Sequence, residues 1–212
     1  LQQAFAAFDA SDQRVAVITG AGDAAFSSGA DVAKLPELWR CIPTVGITTE
    51  KPVIAAVGGW CVGGALVLAM MCDLLVAADN AKFSYPEAKL GFTGGLIAGL
   101  AARIPHKVAM EMILLCKVID AQRAYDVGLV NEIVPTGQQV DRALAMGREI
   151  ATFSPLVLKT LKRFIVNNIL AQGPSEKMGH AMVALGAVRE SEDGREAALA
   201  SREKRAPVYK GR

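Results

Sequence analysis

The sequence predicts an α/β fold whose first part alternates strands with helices and whose last part is helical throughout. Short apolar runs bounded by glycine, proline or charge recur as far as Pro135. One of them opens Lys51–Asp73, KPVIAAVGGWCVGGALVLAMMCD, an uncharged stretch interrupted by the glycine pairs Gly58-Gly59 and Gly63-Gly64. Beyond Pro135 only helical periodicity remains. A chain of 212 residues that is 52% hydrophobic can bury a sizeable core.

Leu1–Asp9 reads as the end of an amphipathic helix, with Leu1, Phe5 and Phe8 at helical spacing. Val15–Thr19 is a short buried strand that stops at Gly20-Ala21-Gly22, and Phe26–Asp31 is a glycine-containing loop. Lys34–Glu50 is mixed in character and gives no assignment. Within Lys51–Asp73, Val53–Val57 has the length and Val/Ile/Ala content of a buried strand entered through Pro52. Gly58–Gly64 reads as a turn and Ala65–Met71 as an apolar helix. Leu74–Ala78 and Lys82–Tyr85 are further strands; Gly95–Ile104 and Val108–Lys117 are helices. Asp120 caps a helix closed by Gly128, and Leu129–Val134 is a strand. The tail is helical over Val140–Thr152, Pro155–Leu170, Glu176–Arg189 and Arg195–Arg205, with Ser154 as N-cap and Pro155 at the first helical position. The division falls at residues 1–135 and 136–212.

Several function classes are disfavoured. The run between Val53 and Cys72 is long enough to span a bilayer, but each of its four glycines costs about 1 kcal/mol in a helix interior, so no membrane span is expected. The balance of 23 basic and 21 acidic residues leaves +2, too little to suggest a nucleic-acid partner. Lys159, Lys162 and Arg163 give one basic helix face, the only hint of RNA binding. Cys41, Cys61, Cys72 and Cys116 show no metal-ligand spacing, which suits reduced, buried thiols in the cytoplasm. The chain begins at Leu1 without a signal-peptide pattern, as a piece of a longer protein would.

Two histidines, His106 and His180, offer little for a nucleophilic triad, and no spacing suggests a metal site or a nucleotide-phosphate loop. What remains is two glycine-flanked loops, each after a buried strand, and one carboxylate. Gly29-Ala30 and Gly63-Gly64 can each aim a backbone N–H at a single oxygen, the arrangement that stabilises an oxyanion. The same small residues would equally serve close packing. Glu87, in SYPEAKLGF, lies between an apolar strand and a glycine-rich segment. Burial there would raise its pKa toward the range useful for proton transfer. The alternative is an exposed glutamate favoured by a helix N-terminus.

Three segments, VAVITGAGDAAFSSGADVAKL (Val15–Leu35), KPVIAAVGGWCVGGALVLAMMCDLLVAADNAKFSYPEAKLGF (Lys51–Phe92) and AYDVGLVNEIVP (Ala124–Pro135), together with the ending EKRAPVYKGR (Glu203–Arg212), resemble the enoyl-CoA hydratase/isomerase, or crotonase, family. The resemblance covers most of the chain. It implies a crotonase-like spiral of ββα units, followed by a C-terminal all-helical trimerisation region that gives a homo-trimer or a dimer of trimers. It implies an acyl-CoA substrate, with coenzyme A entering as part of the thioester and no separate cofactor. By position, the oxyanion donors would be the N–H groups of Ala30 and Gly64. Ser28, Gly29 and Ala30 would border the adenine pocket, Asp31 would be a further substrate-binding residue, and Gly63 would accompany Gly64. Leu66, Val67 and Phe92 would line the acyl pocket, and Lys210 would approach the CoA phosphates, across a subunit boundary if need be.

The chain departs from the family pattern at a telling position. Family hydratases carry two glutamates, one in the helix after the glycine pair and one in the Pro-Glu step. Here the second is Glu87 and the first is Val67. Valine can neither hold nor activate water. Isomerisation needs only one carrier, which takes a proton from one carbon and returns it to another, and some family isomerases are apolar at the first position. The sequence therefore favours Δ3–Δ2 enoyl-CoA isomerisation through Glu87. The alternatives are hydration with a second acid, for which Glu37 and Glu50 are the nearest candidates, acyl-CoA decarboxylation or thioester hydrolysis, and a non-catalytic or RNA-binding protein. Two further departures are Gly91-Phe92-Thr93-Gly94-Gly95 in place of the usual proline-containing run, and a short stretch between Asp31 and Lys51.

Overall fold

A computed structural model describes residues 1–22, 24–31 and 37–212 of the chain. The start of the unassigned Lys34–Glu50 stretch and the end of the Val15–Leu35 motif lie outside the described residues.

Helix α1 (Gln2–Ala10) buries Phe5 and Phe8, whose rings meet edge to face at 6.1 Å. Strands β1 (Ala16–Thr19) and β2 (Ala25–Ser27) follow, then a 3-10 turn at Leu38–Cys41. The central unit is β3 (Val53–Val57), β4 (Trp60–Val62) and α2 (Gly64–Met70). Strand β5 (Leu74–Ala78), β6 (Lys82–Ser84) and the short helix α3 (Glu87–Leu90) repeat that order. A 3-10 helix over Leu96–Ala102, α4 (His106–Leu114), β7 (Ile119–Asp120), α5 (Ala121–Asp126) and β8 (Glu132–Val134) complete the strand-bearing part. The remainder is α6 (Gln139–Ile150), α7 (Pro155–Phe164) running into a π-helical turn at Ile165–Ile169, α8 (Pro174–Glu190) and α9 (Glu192–Glu203).

Strands β1 to β6 alternate between two four-stranded sheets, ordered β1-β3-β5-β8 and β2-β4-β6-β7, after which β7 stays in the second sheet and β8 returns to the first. All pairings are parallel except β6 with β7. The units β3-β4-α2 and β5-β6-α3 each lay one strand in each sheet before the helix, which is the spiral of ββα units expected. Strand β3 is buried at all five residues, and so its VIAAV sequence shows no polar alternation. Gly58-Gly59 carries the chain from one sheet to the other. Gly59 has φ +63° and a Cβ there would strike the Ala24 backbone, so only glycine fits the crossing. Leu66, Phe83, Leu100 and Met112 are fully buried between the layers. On the first sheet's other face, Ala143 of α6 packs with Ile54, Ala56 and Val76.

The structure corrects several sequence assignments. Gly58–Gly64 is not one turn, because Trp60–Val62 forms β4; likewise β2 runs into the start of the expected glycine loop at Phe26 and β7 ends on the Asp120 cap. Strands of two or three residues show no period of their own and are defined by their partners. Leu96–Ala102 is 3-10 rather than α-helical, and Pro155–Leu170 changes to π geometry after Phe164. Ser154 stands at the N-cap position without a capping hydrogen bond. Asp120 does cap α5, accepting the Arg123 N–H at 2.8 Å, and Gly128 has φ +79° just beyond it. Cys61 and Cys116 are buried and Cys41 and Cys72 half-buried, all free, with burial pushing the Cys61 and Cys72 thiols well above their ordinary range. Among the described residues no helix is long and apolar enough to cross a membrane.

Phe83 ties the second sheet to the core. Phe83→Ala is expected to lower unfolding free energy by about 3–5 kcal/mol in urea titrations. A loss below about 1 kcal/mol would place the second sheet outside the cooperative core.

Candidate active site

A cavity of about 430 Å³ opens where the ends of β2, β4 and β6 meet the 3-10 turn and α8. It brings together Ala30, Gly64, Val67, Glu87 and Phe92 from widely separated segments. Leu38, Trp39, Tyr85, Leu96 and Met178 complete an apolar wall.

Gly64 is the first residue of α2, and an N–H at that position has no intrahelical acceptor. Its neighbour is different, because the Gly63 N–H donates to the Ser84 carbonyl at 2.8 Å. Of the glycine pair, only Gly64 therefore presents an open donor. On the other side, Gly29 turns at φ +106°, donates to Ser27 Oγ at 3.2 Å, and delivers Ala30 to the cavity wall. Among the described residues, no protein acceptor engages the N–H of Ala30 or of Gly64.

Glu87 opens α3 and is 8% exposed. The helix terminus is as the sequence allowed, but the exposed alternative is excluded. Its Oε2 is buried without a hydrogen-bond partner, and loss of hydration pushes the carboxyl pKa up. Gly63 makes this burial possible: with φ +60°, a Cβ there would stand 2.5 Å from Glu87 Oε1. Tyr85, two residues earlier, is buried and pairs its hydroxyl with Thr93 Oγ1 at 2.8 Å. Burial also raises its phenol pKa.

Other sequence-selected residues lie elsewhere. Leu66 is fully buried in the main core and does not line the cavity, because it follows Gly64 on a face of α2 turned toward the sheets. Ser28 and Asp31 are exposed, and neither they, Gly29 nor Gly63 form part of the wall. Lys210 runs beside α9, its Nζ 3.5 Å from Glu192 and its backbone N–H on Asp193, so one chain does not bring it to its own cavity. Of the two candidate second acids, Glu37 lines the cavity, whereas Glu50 pairs with Arg163 at 3.3 Å against a different pocket. The basic helix face is engaged in the fold: Lys162 bonds Asp73 at 2.7 Å and the Lys51 carbonyl at 2.8 Å. His180 is occupied by the Thr44 carbonyl.

The sequence did not reveal the wall contributed by α8, through Pro174, Ser175, Met178 and Gly179. That helix is anchored by Glu176, which is buried and faces Arg103 at 3.4 Å. The unusual Gly91–Gly95 run has a local explanation. Gly91 ends α3 at φ +68° with its N–H on the Glu87 carbonyl, and Gly95, at φ +76°, leaves room for Ser175.

Residues 1–212 match the enoyl-CoA hydratase/isomerase family. Among curated relatives, (E)-benzylidenesuccinyl-CoA hydratase of Thauera aromatica is 34% identical over 216 residues, covering 94% of this chain and 82% of the relative. Carnitinyl-CoA dehydratase of Escherichia coli O157:H7 is 34% identical over 218 residues, with the same coverage of 94% and 82%. Among solved structures, carnitinyl-CoA hydratase from Mycobacterium avium superposes with a TM-score of 0.72 at 32% identity, over 100% of this chain and 87% of the other.

A carboxyl whose pKa is raised in the folded state contributes stability at low pH that is lost as pH rises through the folded pKa. Wild type is therefore expected to lose stability relative to Glu87→Gln between the ordinary carboxylate range and neutrality, in urea titrations at pH 4.5 and 7.5. Parallel pH profiles would mean that Glu87 is fully solvated.

Proposed function

The chain belongs to the enoyl-CoA hydratase/isomerase family, enzymes acting on CoA thioesters, and from that premise we propose that it moves a proton at the α-carbon of an enoyl-CoA, with Δ3–Δ2 isomerisation as the favoured outcome. The thioester carbonyl oxygen accepts hydrogen bonds from the N–H groups of Ala30 and Gly64. This polarises the carbonyl and lowers the energy of the dienolate. The Glu87 carboxylate removes the α-proton, and the resulting carboxylic acid returns it at the γ-carbon, shifting the double bond into conjugation. Burial raises the Glu87 pKa, the direction that makes its conjugate acid a better match for returning the proton. Val67 and Phe92 keep the acyl portion dry, which strengthens the oxyanion contacts.

The observation that carries this reading is a buried, half-unpartnered carboxyl sharing one cavity with two open backbone donors. Val67 occupies the α2 position that would otherwise supply a second acid. Hydration is the second reading, supported by the hydratase and dehydratase names of the relatives, and it requires another proton-handling group.

We further place the protein in the cytoplasm, as its free thiols suit, and as a homo-trimer or dimer of trimers. Leu156, Leu161, Phe164 and Ile169 on α7 and the π-helical turn are exposed and apolar, as subunit contacts would be. A phosphate-binding role for Lys210 on this reading calls for the cavity of a neighbouring subunit.

Glu87→Gln is expected to lower kcat for 3-enoyl-CoA isomerisation by about 100-fold or more, with acyl-CoA binding retained in calorimetry. Near-wild-type isomerisation in that variant would remove Glu87 as proton carrier. Sedimentation is expected to report a trimer or its dimer; a monomer at micromolar concentration would dismiss the assembly.

A further inference from the structure

We infer that Tyr85 and Thr93 are a positioning pair that sets which acyl groups the cavity accepts. Their hydrogen bond holds the Gly91–Gly95 segment as a fixed wall, so that short acyl-CoA thioesters are preferred to long ones. This rests on the acyl-CoA reading above and adds to it the size of the acyl group.

Most of the cavity wall is braced by the fold. Val67 of α2 is buried and belongs to the main core. Leu38 packs on that core and lies against α2, since a Cβ on Gly64 would come within 2.7 Å of its Cδ2. Helix α8, which supplies Ser175 and Met178, is anchored by Glu176 at 3.4 Å from Arg103. Phe92 and Gly94 are different, because they belong to an exposed segment between α3 and the 3-10 helix. A Cβ on Gly91 or Gly94 would meet nothing within 4 Å, so no neighbour braces the backbone there.

Hydrogen bonds hold this segment instead. Where it leaves α3, the Phe92 N–H donates to the Glu87 carbonyl at 3.3 Å. In its middle, Thr93 Oγ1 meets the Tyr85 hydroxyl at 2.8 Å and accepts the Gly95 N–H at 3.1 Å. Among the described residues, Tyr85 is the one side-chain partner of Thr93. Tyr85 is itself immobilised, since it follows β6 directly and is buried in the main core. Burial holds its phenol pKa above the ordinary value, so the hydroxyl stays protonated when Glu87 ionises. At the far end, a Cβ on Gly95 would stand 2.3 Å from Ser175 Oγ, so the segment has no room to retreat toward α8. Its one way to yield is outward into solvent, with loss of the Tyr85–Thr93 bond. An acyl chain that ends inside the cavity leaves the wall in place. A longer one must push Phe92 and Gly94 aside, and its binding is weakened by the cost of that bond. The pair acts through the wall and touches no reacting atom, so its effect falls on binding rather than on the chemical step.

The test is calorimetric binding of hexanoyl-CoA and dodecanoyl-CoA, which cannot react, to wild type, Tyr85→Phe, Thr93→Val and the double variant. Wild type is expected to bind hexanoyl-CoA more tightly. Each single variant is expected to lower that preference by about fivefold, and the double variant no further, because both changes break one contact. In turnover of 3-dodecenoyl-CoA, KM is expected to fall in the single variants more than kcat changes. A merely structural role would weaken both ligands alike and leave the preference unmoved. An unmoved preference, additive losses in the double variant, or wild type that binds dodecanoyl-CoA as tightly as hexanoyl-CoA would overturn the inference. Wild type that shows the preference but turns over no enoyl-CoA would uphold the pair and remove the isomerase reading. Binding of neither ligand would remove both.

Discussion

The hydrogen bond from the Gly63 N–H to the Ser84 carbonyl, 2.8 Å long, sets the geometry of the whole site. It extends the parallel pairing of β4 and β6 beyond Val62↔Ser84. One residue later on the first strand comes the Gly64 donor, and three residues later on the second comes Glu87. A sheet register therefore fixes an oxyanion donor against a proton carrier. Because backbone pairing is stiff, neither group depends on a flexible side-chain contact for its place.

The same logic brings in the third group. Strand β2 pairs with β4 through Ser27↔Cys61, and its chain turns at Gly29 so tightly that a Cβ there would meet the Val62 carbonyl at 3.1 Å. Ala30, Gly64 and Glu87 thus emerge from the carboxyl ends of three adjacent parallel strands, the usual place for a ligand crevice in such sheets. The first sheet contributes no residue to the cavity wall. It supplies the buried platform, with α6 sealing one face, on which the strand ends stay aligned. Leaving the Glu87 oxygen without a partner costs about 1–3 kcal/mol, a cost borne by this scaffold. Gly91 helps by closing α3 back onto the Glu87 carbonyl.

Legibility followed the range of the interactions. Val53–Val57 was readable because full burial forces a continuous apolar run, and the glycine pairs because one member of each, Gly59 and Gly63, takes a positive φ. Ala30, Gly64 and Glu87 were found as chain positions after strands, yet choosing packing glycines or oxyanion donors needed the family resemblance. Strands β2, β4 and β7 were invisible, since two or three residues carry no period. Leu66, which the resemblance put in the acyl pocket with Val67, turns into the core instead, since successive helical residues point about 100° apart. The wall from α8 had no local signal at all: Met178 and Gly179 become site residues only because Glu176 buries itself against Arg103. Gly179 in turn leaves space for Val45, a contact between segments far apart in the sequence.

Val67 shows what one missing carboxylate does to the remaining one. Two carboxyls sharing a small cavity repel, and part of any raised pKa then belongs to the pair rather than to either residue. Glu87 has no such partner in α2, and its upward shift comes from burial, opposed only by its own backbone hydrogen bond. Its proton affinity is thereby raised by burial, which the absence of a side chain at Gly63 permits. Such a group can release a proton at one carbon and recover it at another without coupling each transfer to a second titration. Glu37 does not restore the coupling. Its charge is paired with Arg40, and the buried carboxyl responds to its own surroundings.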